Sequence, residues 1–346
     1  MMTSFDLRIS RRDALGLAMA LSSAGLAPRA SAQELTTRLT DARALPGPAG
    51  STFEEGAWTD AQRGGRTIPW RIYRPKALAA LAPVIIYSHG GGGTRETGQQ
   101  FGEHLASHGF ISLHIQHAGS DRDAFRNDRQ QISAAARDPQ VGRVRFEDVL
   151  FAFRQIQGGA PALTTLADPA RVGIAGHSLG AITAQIAAGM AVTGFDQSLA
   201  VPQLKGAFAL SPSPPRDGYG EASAAFRRML MPIFHLTGTK DDAPNGDFAA
   251  PARRVPFEAI SGVKQYLLIL ENANHFTFGG DPDPRLMGRS FGYPALPRHH
   301  DLIKAAAVAF WRAILLGSPE DATFLDGGGY KALLGPGDSF EVKPPA

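Results

Sequence analysis

The sequence predicts an α/β protein with a mostly parallel central sheet and helices on both faces. Short apolar runs rich in β-branched residues, such as 83–88 and 171–175, alternate along the chain with stretches of helical spacing. This alternation is typical of parallel strands joined by crossover helices. The 346 residues are 43% hydrophobic and 19% charged, which is the balance of a globular protein. Because cysteine is absent, such a protein depends on its core rather than on disulfides.

The first 32 residues have the layout of an export signal. Arg11 and Arg12 precede an apolar run over 14–21, and residues 30–32 form an Ala-Ser-Ala cleavage site. Paired arginines before such a run indicate a twin-arginine signal peptide cleaved after Ala32. A membrane anchor is the disfavoured alternative, because the run is shorter than the roughly 20 residues that span a bilayer. We therefore expect twin-arginine export of the precursor, no stable membrane anchor and a periplasmic or secreted product.

The charge balance argues against nucleic-acid binding. The whole chain has 35 Lys and Arg against 32 Asp and Glu, a net charge of +3. Removal of residues 1–32 takes away four arginines and two aspartates, which leaves 31 basic and 30 acidic residues and a net charge of +1. A near-neutral chain lacks the basic surface that nucleic acid requires, so no nucleic-acid partner is expected.

The rest of the chain divides into an arm, a catalytic domain and a tail. Residues 33–66 are rich in Gly, Pro and Thr and predict an irregular N-terminal arm with edge strands. Within a catalytic domain over 67–333, short apolar runs predict strands at 70–75, 83–88, 110–115, 171–175, 205–210, 232–237 and 266–270. Helical spacing predicts helices at 99–107, 143–157, 181–190 and about 300–316. Residues 334–346 predict a loose C-terminal tail.

The pentapeptide Gly176-His177-Ser178-Leu179-Gly180 predicts a nucleophilic serine. A strand is expected directly before this G-x-S-x-G sequence and an Ala-rich helix directly after it, which is the context that the motif requires. The flanking glycines let the strand and the helix approach closely. The hydroxyl of Ser178 would then stand above the carboxyl edge of the sheet, at a helix N-terminus. The alternative, a glycine-rich turn with an incidental serine, is disfavoured by this context.

A serine nucleophile needs a base and an acid that orients the base. In the chain order serine, acid, histidine, His275 is the preferred base, because it lies in a loop just after the 266–270 strand. Other histidines later than the serine are the alternatives: His235, His299 and His300. Asp241 is the preferred acid because it follows the 232–237 strand, and Asp242 is the alternative.

An oxyanion hole needs two N–H donors. One is expected from Leu179, the residue after the nucleophile, and the other from the loop after the 83–88 strand, which holds four consecutive glycines at 90–93 and is called the glycine loop. In that loop Gly91 is the first choice and Gly92 the second. The candidate substrate-binding residues are Gly92, His177 and Phe276. Aromatic residues after His275 predict either an acyl or alcohol pocket or local core: Phe276, Phe278, Phe291 and Tyr293.

No metal or organic cofactor is predicted. His114 and His117 would face opposite sides of a strand, so joint metal binding is disfavoured, and His117 is expected in a structural role or in the wall of the site. Arg143, Glu147 and Asp148 predict either a solvated helix face or a buried ion pair beneath the site.

With these residues in place, the chain resembles the α/β-hydrolase superfamily, and more narrowly its bacterial branch related to dienelactone hydrolases and platelet-activating-factor acetylhydrolases. The resemblance runs from about residue 68 to 317 and rests on four stretches: 87–91 (Tyr-Ser-His-Gly-Gly), 104–110 (His-Leu-Ala-Ser-His-Gly-Phe), 117–121 (His-Ala-Gly-Ser-Asp) and 176–180 (Gly-His-Ser-Leu-Gly). It implies the α/β-hydrolase fold. The segment between Ser178 and His275 is too short for a large cap domain.

Two departures refine what the resemblance implies. Dienelactone hydrolases usually have a cysteine nucleophile, where this chain has Ser178. In the animal acetylhydrolases the acid follows the strand after the nucleophile, whereas here that strand ends in Leu210-Ser211-Pro212, which favours Asp241 one strand later.

The predicted function is serine carboxylic ester hydrolysis through a Ser178–His275–Asp241 triad and an acyl-enzyme, on small or polymeric esters. Amide, thioester or lactone hydrolysis stays open, because the same triad and acyl-enzyme serve all of them. A non-catalytic ligand-binding member is the alternative from another class.

Overall fold

The computed structural model describes residues 38–125, 130–195, 199–216, 219–280 and 297–346. The predicted signal peptide and the aromatic residues Phe291 and Tyr293 lie outside these ranges. The described residues form one sheet with the strand order β1-β2-β4-β3-β5-β6-β7-β8-β9. Its strands are β1 Thr52–Asp60, β2 Arg66–Arg74, β3 Ala82–Ser88, β4 Ile111–Ile115, β5 Ala167–His177, β6 Ala207–Leu210, β7 Ile233–Lys240, β8 Gln265–Asn274 and β9 Ser339–Lys343.

The sheet is mixed rather than parallel throughout. The six central strands, β4, β3, β5, β6, β7 and β8, pair in parallel, whereas β1, β2 and β9 pair antiparallel at the two edges. The predicted mostly parallel sheet therefore holds for the centre and is wrong for the edges. The parallel centre is what positions the site, because the carboxyl ends of its strands meet along one edge.

Helices cover both faces of this sheet. They are α1 Gln99–Ser107, α2 Gln130–Arg137, α3 Pro139–Gln157, α4 Leu179–Ala187, α5 Ala222–Ala225, α6 Val255–Ala259, α7 Pro297–Leu316 and α8 Pro319–Asp326. Val149 of α3 and Ile182 of α4 enter one core, and Trp311 of α7 enters the other. The neighbours Ile85 and Ile86 of β3 point into opposite cores, so the strand is apolar on both faces and its sequence reads as a continuous apolar run. None of these helices is long and apolar enough to cross a membrane.

Both terminal segments join the sheet. The N-terminal arm contributes β1, which pairs with β2 along its whole length. The expectation of a loose tail over 334–346 is wrong at Ser339–Lys343, which pairs antiparallel with the edge of β8. Phe340 accounts for this, because its ring is buried against Tyr266, at 6.0 Å between centroids and 8° between planes, and against Tyr330 at 4.8 Å.

Candidate active site

Ser178 lies at a strained turn between β5 and α4. Its φ of 56° and ψ of −115° place a residue that is not glycine in a sparsely populated region. The turn is tight enough to require both flanking glycines. A Cβ on Gly176 would lie 2.1 Å from the carbonyl oxygen of Gly180, and a Cβ on Gly180 would lie 1.9 Å from that of Ser88. The strain thus lifts the hydroxyl above the sheet edge, at the N-terminus of α4.

The structure brings Ser178, His275 and Asp241 into one hydrogen-bonded line. The Oγ of Ser178 is 2.9 Å from Nε2 of His275, and Nδ1 of His275 is 2.8 Å from Oδ1 of Asp241. Asp241 directly follows β7 and His275 directly follows β8, so neighbouring parallel strands deliver the two side chains to the same edge. The side chain of Asn274 holds the turn at His275 by accepting hydrogen bonds from the amides of Phe276 and Thr277.

The alternative residues lie elsewhere. Asp242 is exposed and accepts a hydrogen bond from the amide of Ala250 at 2.8 Å. His235 is buried within β7, where its Nε2 is 3.2 Å from the side chain of Gln265. His300 lies at the start of α7, with Nε2 3.2 Å from the carbonyl oxygen of Thr277, and His299 precedes it in the same turn.

Arg253 is the site residue that the sequence reasoning missed. It is 1% exposed, and its Nε lies 2.8 Å from Oδ1 of Asp241. A terminal nitrogen donates to the carbonyl oxygens of Ser211 and Pro212, each at 2.9 Å. The other terminal nitrogen is 3.0 Å from Nδ1 of His275, which already donates to Asp241, so this approach places a positive charge beside the ring. The sequence carries no signal for this role.

Two hydrogen-bond donors and one cation thus surround the carboxylate of Asp241. His275 donates to Oδ1, and the hydroxyl of Thr237 donates to Oδ2 at 2.9 Å. The Nε of Arg253 donates to the backbone oxygen of Asp241 at 2.5 Å, which keeps the guanidinium charge beside Oδ1. The side chain of Asp241 is fully buried, so the guanidinium compensates a charge that would otherwise be costly to bury. Burial lowers the pKa of His275, and the charge of Arg253 lowers it further, although Asp241 opposes both effects. The imidazole is therefore neutral and able to accept a proton at neutral pH.

The two amides predicted to form the oxyanion hole belong to Leu179 and Gly91. The amide of Leu179 begins α4 and the amide of Gly91 lies in the glycine loop, and neither meets a protein acceptor within the described ranges. The amide of Gly92 donates to the carbonyl oxygen of Ser120 at 3.0 Å, so it is not available as a second donor. Gly92 adopts a φ of 75°, which glycine tolerates without strain.

The remaining predicted binding residues flank His275. The ring of Phe276 is half-buried and meets the ring of His275 edge-on, with 6.0 Å between centroids. His177 is buried, and its Nε2 donates to the carbonyl oxygen of His275 at 3.0 Å. This hydrogen bond helps to fix the backbone of His275. Phe278 is fully buried and belongs to the core.

His114 and His117 belong to different networks. His114 contacts Ser112 and Thr97, whereas His117 contacts Ser88 and Asp148. Throughout the described part of the chain, no group of three or more His, Cys, Asp or Glu side chains is placed to hold a metal ion.

Comparison with known proteins supports a relationship at the level of the superfamily. A family profile described as "Platelet-activating factor acetylhydrolase, isoform II" matches residues 72–152. The matched stretch includes β3, the glycine loop, β4 and most of α3, and it ends before Ser178. A comparison with curated proteins found no significant match. The profile match supports assignment to the α/β-hydrolase superfamily and, at that level, to hydrolases that act on esters.

Proposed function

We propose that this protein is a serine carboxylic ester hydrolase that works through Ser178, His275 and Asp241. The observation that carries the proposal is the continuous line from Ser178 Oγ through His275 to Asp241, at 2.9 and 2.8 Å, which begins at a strained turn. A hydroxyl is a weak nucleophile at neutral pH, and a neutral imidazole at hydrogen-bond distance is the group that activates it.

In the proposed mechanism Ser178 attacks the ester carbonyl while Nε2 of His275 takes its proton. Asp241 holds Nδ1–H in place and balances the imidazolium that forms. The amides of Leu179 and Gly91 donate to the oxyanion. His275 then returns the proton to the leaving alcohol, which departs and leaves an acyl-enzyme. A water, deprotonated by His275, hydrolyses the acyl-enzyme and regenerates the hydroxyl of Ser178.

The substrate class follows from what lies beside the triad. The half-buried ring of Phe276 offers an apolar contact next to the base, which suits the acyl or alcohol part of a small or polymeric ester. We further propose that the chain is exported by the twin-arginine machinery and begins at Gln33 after cleavage. Such cleavage would leave intact the anchor of Arg38, whose guanidinium donates to both oxygens of Asp301 at 2.6 and 2.8 Å.

The test is hydrolysis of p-nitrophenyl acetate, butyrate and octanoate by the chain from Gln33, with Ser178→Ala beside it. Loss of the nucleophile is expected to lower kcat by about 10⁴-fold to 10⁶-fold, because removal of one triad member disables the whole unit. Ser261→Ala, which changes an exposed serine that is not part of the triad, is the matched control and is expected to retain full activity.

The outcomes separate the alternatives. Full activity in Ser178→Ala would overturn the mechanism. A folded wild type that hydrolyses none of the three esters, but whose Ser178 reacts with a fluorophosphonate probe, would favour an amide, thioester or lactone substrate. A wild type that neither turns over nor reacts with the probe would favour a ligand-binding protein.

The pH dependence gives an independent check. Only the neutral imidazole can accept the proton of Ser178, so kcat/KM is proportional to the neutral fraction of His275 and rises as the pH rises. Because burial and Arg253 lower the pKa of His275 from its ordinary 6.5, half-maximal kcat/KM is expected below pH 6.5. A profile of kcat/KM against pH measures this midpoint, and a midpoint above 6.5 would contradict the assignment of the base.

A further inference from the structure

A second Ser–His–Asp arrangement lies buried beneath the glycine loop. Ser88 Oγ is 2.9 Å from Nε2 of His117, and Nδ1 of His117 is 3.0 Å from Oδ2 of Asp148. All three side chains are 0% exposed, so no substrate reaches them. Burial lowers the pKa of His117 to about 4, which keeps the ring neutral at neutral pH. Its Nδ1–H then donates to Asp148, and its Nε2 accepts from the hydroxyl of Ser88.

Two arginines balance the charge of Asp148, one at the start of β2 and one in the turn before it. The Nε of Arg66 lies 2.7 Å from Oδ1 of Asp148, and a terminal nitrogen of Arg63 lies 2.8 Å from the same oxygen. Burial alone would raise the pKa of Asp148, but the hydrogen bonds from Arg66 and His117 hold it well below its usual range. Asp148 is therefore ionised, and its charge raises the pKa of the remaining charge of the cluster, Arg145, against the effect of burial.

Arg145 donates its hydrogen bonds to hydroxyl and backbone oxygens. Its side chain is 1% exposed on α3, and burial lowers its pKa to about 9, which leaves it charged at neutral pH. Its Nε donates to Thr183 Oγ1 at 3.0 Å and one terminal nitrogen donates to Ser120 Oγ at 2.7 Å. The other terminal nitrogen donates to Ser88 Oγ at 3.1 Å and to the carbonyl oxygen of His89.

One of these contacts leads to the N-terminus of α4. The hydroxyl of Thr183 accepts from Arg145 and donates to the carbonyl oxygen of Leu179 at 3.0 Å. Leu179 is the first residue of α4 and carries one of the two proposed oxyanion amides. The guanidinium therefore braces the helix turn that presents this amide.

The contacts of Arg145 with His89 and Ser120 reach the two sides of the glycine loop. The carbonyl oxygen of His89 lies two residues before Gly91, the second proposed donor. The backbone oxygen of Ser120, whose hydroxyl is bound to Arg145, accepts the amide of Gly92 on the other side of Gly91. The guanidinium therefore constrains the loop on both sides of Gly91.

We propose that Arg145 is a positioning residue for the oxyanion site, an inference that rests on the proposed function. The planar guanidinium holds the glycine loop and the first turn of α4 at a fixed separation, so that the amides of Gly91 and Leu179 converge on one oxygen. A guanidinium suits this task because its three nitrogens donate in fixed directions, whereas a lysine ammonium is a compact point charge on a flexible chain.

The test compares Arg145→Met and Arg145→Lys with Arg143→Met in the chain from Gln33. Arg143 lies two residues earlier on α3, where it forms an exposed pair with Glu147 at 2.8 Å, and it is the matched control. The measurements are kcat and KM for p-nitrophenyl butyrate, the affinity for butaneboronic acid, which forms a tetrahedral adduct with an active serine, and the melting temperature.

Loss of an aligned oxyanion donor typically lowers kcat by about 10²-fold to 10³-fold. Arg145→Met is therefore expected to lower kcat by about 100-fold and to weaken boronate binding by a similar factor, with KM within about threefold of wild type. Arg145→Lys is expected to fall between Met and wild type, and Arg143→Met to match wild type in all three measurements.

A purely structural role predicts a different pattern. Arg145→Met with a lower melting temperature but wild-type kcat and boronate affinity per folded molecule would overturn the inference. If Arg145→Met does not fold, Ser120→Ala removes a single contact of the guanidinium and is expected to lower kcat by several-fold, and wild-type kcat and boronate affinity in that variant would overturn the inference as well. A wild type that neither hydrolyses the ester nor binds the boronate would overturn the proposed function itself.

Discussion

Asp241→Asn is expected to lower kcat for ester hydrolysis by about 10⁴-fold, which corresponds to roughly 5 kcal/mol of barrier. A carboxylate accepts the Nδ1–H of His275 and balances the imidazolium, whereas a neutral amide does not balance that charge and permits the wrong tautomer. The same change leaves the buried guanidinium of Arg253 without its counter-charge. Breaking a buried ion pair costs about 3–5 kcal/mol, so the melting temperature is expected to fall too.

Asp242→Asn is the matched control for this prediction. Asp242 is adjacent in sequence but exposed, and an amide oxygen can keep the hydrogen bond that its side chain accepts from the amide of Ala250 at 2.8 Å. We expect kcat within about twofold of wild type and a change in stability within about 0.5 kcal/mol. The prediction is checked by the kinetics of both variants at a pH on the plateau of the kcat/KM profile and by their thermal melts. The reverse pattern, with Asp242→Asn inactive and Asp241→Asn active, would show that the acid is misassigned.

Gly180→Ala is expected to destabilise the fold and to lower activity together. The added Cβ would lie 1.9 Å from the carbonyl oxygen of Ser88, which is backbone and cannot rotate away. Overpacking of this kind costs about 1–3 kcal/mol and sometimes more, and here α4 must separate from the end of β3. These two elements carry Leu179 and lead into the Gly91 loop. A shift of about 1 Å between them is expected to lower kcat by about 100-fold.

The sign of this effect distinguishes packing from helix propensity. Alanine is favoured over glycine within a helix by about 1 kcal/mol, so propensity alone predicts that Gly180→Ala stabilises. Gly262→Ala is the control, because its Cβ would meet no atom within 4 Å, and its effect is expected within about 0.5 kcal/mol. Urea unfolding of both variants measures the difference. A stabilised Gly180→Ala variant would show that the tight turn at Ser178 is misdescribed.

Local patterns in the sequence were enough to predict most of the central fold. The structure has a strand at each predicted position, because strands buried on both faces require continuous apolar runs such as that of β3. The three residues of the candidate triad could be chosen for a related reason. Ser178, Asp241 and His275 each follow a predicted strand, and parallel strands bring their carboxyl ends to one edge. Chain order and strand ends therefore narrow the candidates for the site to a few residues.

Features that depend on packing between distant segments could not be predicted in this way. Arg253 and Arg254 are neighbours of the same type, yet Arg253 is buried against Asp241 while Arg254 pairs with Glu258 and Glu341 nearer the surface. The difference lies in which side of the chain faces β7, and no local pattern encodes it. The same holds for β9, whose short apolar alternation becomes a strand only because β8 offers an open edge.

The sequence by itself determined the parallel centre of the sheet, the position of Ser178 between a strand and a helix with a glycine on each side, and the short lists of candidates for the acid and the base. These depend on hydrophobic periodicity and on glycine spacing, which are local properties of the chain. Only the tertiary structure places Asp241, and not Asp242, beside His275, engages the amide of Gly92 with Ser120, and buries Arg145 and Arg253. The physical reason is that burial and hydrogen-bond partners are set by segments far apart in sequence: Arg145 of α3 meets the Gly91 loop and α4 only in the folded protein.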